Sequence, residues 1–485
     1  MVGTTHVFGR VIGQVIGQAV GLAMGRAVSL AVALAVGLTA APPSGAAEWW
    51  SRGDASLSVS GSLRQLAIYT QQTDFDEFTD AIAADIAATG GTTCVSAANF
   101  ANCPAFNVVG DEDVGQGLTR LRIAADLKVT EWLSAFASYD NEVRFGMIDT
   151  LESQLGSGFD SSSFLEAEAN LSRSSSADWS HRLYRGYIQV ETERFELTVG
   201  RQRIAWGVGR LWTPIDRFSA LLPLNLQPDV TPGIDSIDGR FNFDGFNYLQ
   251  FVYSPGSSGS RERWAVRLHG VVLDADLSAM GGVFEGAPTV GVDFARNLWD
   301  GAIGFEAVFT SPRREVWKIG DASPRSLPDY WQIVVSYDLN LDFGSGVYLL
   351  AEYLYNGNAL GFGRGRAGPL LPFFESTGTP PIPMPPADPY ATGASSDIFG
   401  SSRIITNSEH QLGVEVGYDL TPEVRGDLVT LVDMDGGSAA FVPSLRYSPL
   451  DSIELTLGVQ LFAGPRRSQY GASEPLVHLL ADWFF

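Results

Sequence analysis

The chain alternates. From about residue 55 to its last residue, apolar and polar side chains take turns with period two in segments of roughly ten residues. At the C-terminus Val477, Leu479, Ala481, Trp483 and Phe485 share one face, and His478, Leu480, Asp482 and Phe484 the other. In 118–129, Leu121, Ile123, Ala125, Leu127 and Val129 oppose Arg120, Arg122, Asp126 and Lys128. In 410–419, Leu412, Val414, Val416 and Tyr418 oppose Gln411, Gly413 and Glu415. In 453–462, Ile453, Leu455, Leu457, Val459 and Leu461 oppose Glu454, Thr456, Gly458 and Gln460. Such a sheet has one face for an apolar medium and one for water.

Eighteen strands are expected on this pattern, near 55–70, 118–129, 132–145, 180–190, 195–202, 234–243, 246–253, 263–271 and 276–284 in the first half. The second half holds 289–298, 302–309, 330–338, 345–355, 410–419, 424–433, 439–447, 453–462 and 476–485. Tight connections at Thr130-Glu131, Glu191–Arg194, Asp244-Gly245, Trp299–Gly301 and Leu420–Glu423 alternate with long ones at 71–117, 146–179, 203–233, 310–329 and 356–409. A soluble sandwich also alternates, but it needs far fewer strands. Short turns at one end, long loops at the other and an even strand count are the rhythm of a membrane barrel with both termini in the periplasm. In lipid every backbone group must be paired, so the sheet must close. The expected fold is all-β: a transmembrane antiparallel barrel of 16–18 strands in the outer membrane of a Gram-negative bacterium, occupying 48–485.

Two loops differ in character. The segment 356–409 is rich in Pro, Gly and Ser and reads as a long outer loop. The segment 203–233 carries Trp206, Trp212 and Phe218 among leucines and prolines, so it is expected to pack, either inside the barrel mouth or over it. Its residues Trp206, Trp212, Asp216 and Arg217 are the candidates for a constriction.

The first 47 residues stand apart, because 11–41 are almost all apolar or small. A retained anchor is one reading, with Gly13, Gly17, Gly21 and Gly25 recurring every four residues. A cleaved signal peptide is the better one: Arg26, an apolar core at 27–41, Pro42-Pro43, and small residues Gly45-Ala46-Ala47 before Glu48. Translation from Met24 would give a leader of ordinary length. No later stretch holds the roughly 18 consecutive apolar residues of a spanning helix.

Composition narrows the partners. The net charge is −23, and 1–47 contribute Arg10 and Arg26 with no acid, so the rest carries about −25. That argues against nucleic acid. It suits either a surface that avoids self-association, or outer loops that bind divalent cations among the phosphates of outer-membrane lipid and lipopolysaccharide. Lys128 and Lys318 are the only lysines beside 30 arginines.

Candidate chemistry is sparse. His181, His269, His410 and His478 fall on separate strands, with no G-x-S-x-G and no H-E-x-x-H, so no hydrolase is expected. Asp111-Glu112-Asp113, Asp74–Glu77 and Asp433-Met434-Asp435 lack calcium-loop spacing, and no metal or cofactor is expected. Cys94 and Cys103 are the only cysteines, and an exported chain favours a loop disulfide between them. By parity Arg120, Arg122, Arg185, Arg240, Arg267 and Arg446 point inward, as does Gln202. These arginines either select anions in a narrow wet channel or pair with inward acids such as Asp126, Glu415, Asp427, Glu454 and Asp482. Trp483 and Phe485 resemble the C-terminal signal read by the outer-membrane assembly machinery.

At 183–217 the chain reads LYRGYIQVETERFELTVGRQRIAWGVGRLWTPIDR. Strand, tight turn, strand, Gly200-Arg201-Gln202 and a Gly-rich loop resemble the corresponding stretch of alginate-export-type, porin-like barrels. The resemblance implies an eighteen-stranded barrel and diffusion of a polyanion or other small solute, and the expected function is an unplugged porin-like channel for passive diffusion or export of small or polyanionic/saccharide solutes. The alternative is a non-conducting barrel with an adhesion or envelope-assembly role for its long loops.

Overall fold

The computed structural model describes residues 47–73, 84, 87–88, 110–146, 164–165, 167–174, 176–219, 223–227, 229–231, 233–256, 262–312, 315–317, 325–326, 328–359, 374–375, 406, 408–465, 468–471 and 473–485. The expected leader (1–47), all but its last residue, and the expected disulfide of Cys94 with Cys103 lie outside them. Eighteen staves form the wall: β1 Ala55–Thr73, β2 Gly110–Thr130, β3 Leu133–Phe145, β4 Ala177–Glu191, β5 Phe195–Gln202, β6 Ile234–Asn242, β7 Tyr248–Ser254, β8 Arg263–Val272 and β9 Ala275–Phe284. They continue as β10 Ala287–Leu298, β11 Gly301–Thr310, β12 Tyr330–Leu341, β13 Val347–Asn356, β14 His410–Thr421, β15 Val424–Asp433, β16 Ser438–Leu450, β17 Ile453–Ala463 and β18 Leu476–Phe484. Each pairs antiparallel with the next, and β1 pairs with β18 from Ser62↔Phe484 to Thr70↔Leu476, which closes the barrel.

Every expected strand is present. The differences lie at the edges. β2 begins at Gly110 and β1 runs to Thr73, so their connection is shorter than 71–117. Two connections at the loop end are tight as well, Glu285-Gly286 and 434–437. Both Glu285 (φ 52°) and Gly286 (φ 78°) take positive φ, as a two-residue hairpin requires. Short strands Ala47–Arg52 and Glu168–Arg173 add to the wall without being staves: the first extends β1 at the periplasmic rim, the second pairs with the upper half of β4. Glu315–Trp317, Arg325–Ser326 and Phe374–Glu375 make a small separate sheet.

Outside, the staves present an apolar belt. Leu121, Ile123, Ile188, Val292, Val335 and Leu457 are among its exposed side chains. Trp132, Phe195, Trp299 and Phe343 stand near the short-turn end, and Trp179, Trp264 and Trp331 near the loop end, as two aromatic girdles. Among the described residues no helix is long and apolar enough to cross a membrane. The crossing is made by strands. A closed barrel wearing this belt is a membrane-spanning protein of the outer-membrane type.

The apolar cores lie inside. Three clusters of buried residues join the inner wall to the segment 203–233, which therefore runs within the barrel. Apolar inward residues receive it (Val252, Phe284, Val308, Val334, Leu350, Leu431), set among buried polar ones such as Gln116, Glu142, Arg263, Gln332 and Asp433.

Candidate functional site

The chain leaves the wall after Gln202 and returns at Ile234. Between them Ile204, Trp206, Ile215 and Phe218 pack on Val252, Ala265, Met280, Phe284 and Val308. Trp206 meets Phe218 edge-on at 5.2 Å between ring centroids, and its Nε1 donates to Gln250 Oε1 at 3.1 Å. Leu211 and Trp212 pack on Val334, Leu350, Leu354 and Leu431. Leu226 packs on Leu66, Leu118, Leu476 and Leu480. The loop thus touches the first staves, the last ones and most of those between.

Two wall carboxylates fasten it. Glu306 on β11 accepts the backbone N–H groups of Val208 (2.6 Å), Gly209 (2.7 Å) and Ile215 (3.1 Å). Glu352 on β13 accepts those of Arg210 (2.7 Å), Leu211 (3.0 Å) and Trp212 (2.7 Å). Successive N–H groups turned toward one anion form a concave nest. Gly207 makes the approach possible: its φ is +95°, and a Cβ there would stand 2.5 Å from Glu306 Oε1. Arg217 Nη2 donates to Thr310 Oγ1 (2.9 Å) and Gln332 Oε1 (2.8 Å). Asp216 is fully enclosed and accepts from Phe218 (3.1 Å) and Ser219 (2.8 Å). Burial pushes its carboxyl up to about 6 against the pull of those bonds.

The second half of the loop grips the closing seam. Arg64 on β1 pairs with Asp482 on β18 (2.7 Å) and with Asp229 of the loop (2.7 Å). Gln227 Oε1 accepts from Arg120 Nη1 at 2.8 Å. Beyond it, Tyr184 OH donates to Thr231 O at 2.7 Å.

The inward arginines prove to be mostly engaged. Arg120 is buried and lies 2.5 Å from Glu142. Arg122 binds Asp140 (2.6 Å) and stacks on Tyr184 at 3.5 Å. Arg267 binds Asp293 (3.2 Å) and Ser278 (2.8 Å). A bulge in β4 puts Tyr184 and Arg185 on the same inner side, where Arg185 Nη2 donates to Thr231 O at 3.3 Å. Arg240 (3.6 Å from Glu196) and Arg446 (3.7 Å from Glu454) remain partly open to the lumen. Gln202 is buried and donates to Thr198 O. Arg201 departs from the lumen altogether: it pairs with Asp235 at 2.9 Å, under Leu165, whose carbonyl it also binds at 2.7 Å. Among the described residues no His, Cys, Asp and Glu group could hold a metal.

Sequence reasoning missed Glu306 and Glu352. The available signal was one acid at an inward position between apolar inward neighbours, Glu306 before Val308 and Glu352 between Leu350 and Leu354.

No protein-family model matches the sequence, and no curated protein matches it. Solved barrels do align. OccK9 (OpdG) of Pseudomonas aeruginosa is 11% identical over 88% of this chain and 98% of its own, with a TM-score of 0.48. OccAB1 of Acinetobacter baumannii is 9% identical over 91% and 98%, at 0.47. OmpF of Salmonella typhi, solved with daunomycin, is 8% identical over 89% and 98%, at 0.40. The assignment of the fold rests on the strand pairings given above.

Proposed function

We propose that the chain is a passive diffusion channel of the outer membrane for small polar solutes, with the loop 203–233 setting the size limit. The observation that carries this reading is the periplasmic half of the inner wall. There Asp126, Lys128, Arg240, Glu196, Arg446 and Glu454 remain partly or well exposed within the barrel. Charges at that position need water beside them. Their pairing decides the solute class: Arg425 with Asp427 (2.9 Å) and Asp419 (3.3 Å), Arg240 with Glu196, Arg446 with Glu454. A lumen wired with balanced pairs favours neutral, saccharide-like solutes over polyanions. The alginate-export-type resemblance of 183–217 supports the saccharide part of this reading.

A second reading follows from the loop's reach. A segment packed from Leu66 round to Leu480 is placed to close the lumen, leaving a barrel whose outer loops carry an adhesion role. Planar-bilayer recording with purified protein separates the two. Stepwise conductance is expected, with liposome swelling that falls off as the saccharide grows. Silence at every voltage sinks the channel.

A further inference from the structure

The apolar belt is broken in one sector, β1 to β6, where on β5 and β6 the outward Arg201 and Asp235 pair with each other under Leu165. Between its rim residues, each stave from β7 to β18 turns outward only aliphatic, aromatic, Gly, Ala or Pro side chains, Thr430 apart. (His410 and Arg296 stand at the rims.) On β1 to β4 four polar side chains face outward instead: Gln65, Thr119, Asn141 and His181. They are contiguous. Gln65 is directly opposite Thr119, and Asn141 directly opposite His181, while Leu121 opposite Asn141 sets the two pairs one diagonal step apart. The row lies under Tyr69, Phe145 and Trp179 and above Leu63, Leu121 and Leu183, inside the belt rather than at its rim.

Thr119 Oγ1 donates to Gln65 Oε1 at 2.6 Å, Trp179 Nε1 donates to Asn141 Oδ1 at 3.1 Å, and Tyr139 OH meets His181 Nδ1. The Asn141 amide nitrogen and His181 Nε2 have no other partner among the described residues. Polar groups turned toward hydrocarbon are costly unless a neighbour satisfies them. Small side chains stand beside the row on the same face (Ala67, Ala125, Ala135 and Ala137), which lets a neighbouring chain come close there.

We infer that the outer face of β1–β4 docks a second copy of this chain. The occupant follows from depth and chemistry. A neighbour must offer hydrogen-bonding groups at the level of the row, within a belt that is otherwise apolar. Another copy, related by an axis along the membrane normal, offers the same row at the same depth automatically, because the aromatic girdles fix how each copy sits. The row is self-complementary, since Gln, Thr, Asn and His each bring a donor and an acceptor. Lipid tails supply neither.

The test places one cysteine at a time on a chain whose Cys94 and Cys103 are replaced by Ser. Thr119→Cys and Asn141→Cys should give oxidative cross-links between copies in native membranes. Val335→Cys, exposed on β12 across the barrel, should not. Native mass spectrometry of the unaltered chain should give a multiple of the barrel mass, and the combined change Gln65→Leu, Thr119→Val, Asn141→Leu, His181→Leu should reduce it to single barrels. A single-barrel mass for the unaltered chain, alone or with lipopolysaccharide attached, overturns the inference. Equal cross-linking at Val335→Cys, or multimers that persist in the apolar variant, does so as well.

Discussion

Gly61 and Phe485 exchange two backbone hydrogen bonds, 2.7 and 2.9 Å long, at the lower end of the closing seam. The Phe485 ring lies over Gly61 so closely that a Cβ there would stand 2.4 Å from its Cε2, and it tilts against Trp483 at 4.7 Å. The last residue is thus part of the seam as well as a terminal aromatic.

Gly61→Leu should therefore impair assembly, because the ring must leave its seat. Gly115→Leu is the control, as nothing stands within 4 Å of its added Cβ. The fraction of heat-modifiable barrel on a gel measures both. Equal yields would show that the ring's seat is immaterial.

Glu306→Ala and Glu352→Ala each strip three backbone donors of their acceptor. An unsatisfied buried donor costs on the order of 1–3 kcal/mol, with water entering to recover part of it. Each change should raise current noise and mean conductance, because the loop can then leave the wall, while the barrel stays closed. Recordings that match the parent channel would contradict this.

Asp216 makes the loop pH-dependent. Its folded pKa of about 6 stands above the ordinary 3.8, so the folded loop holds the proton more tightly than the released one. The loop is steadiest below 3.8 and loses that advantage as pH rises to 6, by about 3 kcal/mol over the window. Current flicker should grow between pH 4 and pH 7, and Asp216→Asn should flatten the trend. An unchanged trend in the Asn variant would assign it to another group.

The arginines divide by exposure. Arg120→Ser leaves Glu142 buried beside fewer cations and should cost roughly 3–5 kcal/mol of stability with little effect on selectivity. Arg446→Ser and Arg240→Ser remove open lumen charges and should lower the anion-to-cation permeability ratio by roughly twofold each. Thermal unfolding and reversal potentials in a salt gradient read the two effects separately.

The staves were legible because a barrel wall writes itself in period two: Leu121 and Val335 could only face out, Asp126 and Glu454 only in. That the loop would pack was legible from Trp206 and Trp212, but its place within the barrel rather than over the mouth was not. Nor was its fastening. The pattern did not tie Glu306 and Glu352 to the loop, because their partners are backbone N–H groups up to 98 and 142 residues away in sequence. Arg201 was beyond parity for a related reason. Alternation tells inside from outside, but not that Leu165 would lie over the outward Arg201.

The joint of Arg64, Asp229 and Asp482 bears on the order of assembly. Its members come from the first stave, the inner loop and the last stave. None of it can form until nearly the whole chain has been made. Leu226 sits beside it on Leu66 and Leu480, so the loop bridges the two strands that close the barrel. A chain whose loop is already inside has its ends held close together, which shortens the search for the final pairing. Closing the seam and seating the Gln227 and Asp229 end of the loop then help one another through Arg64.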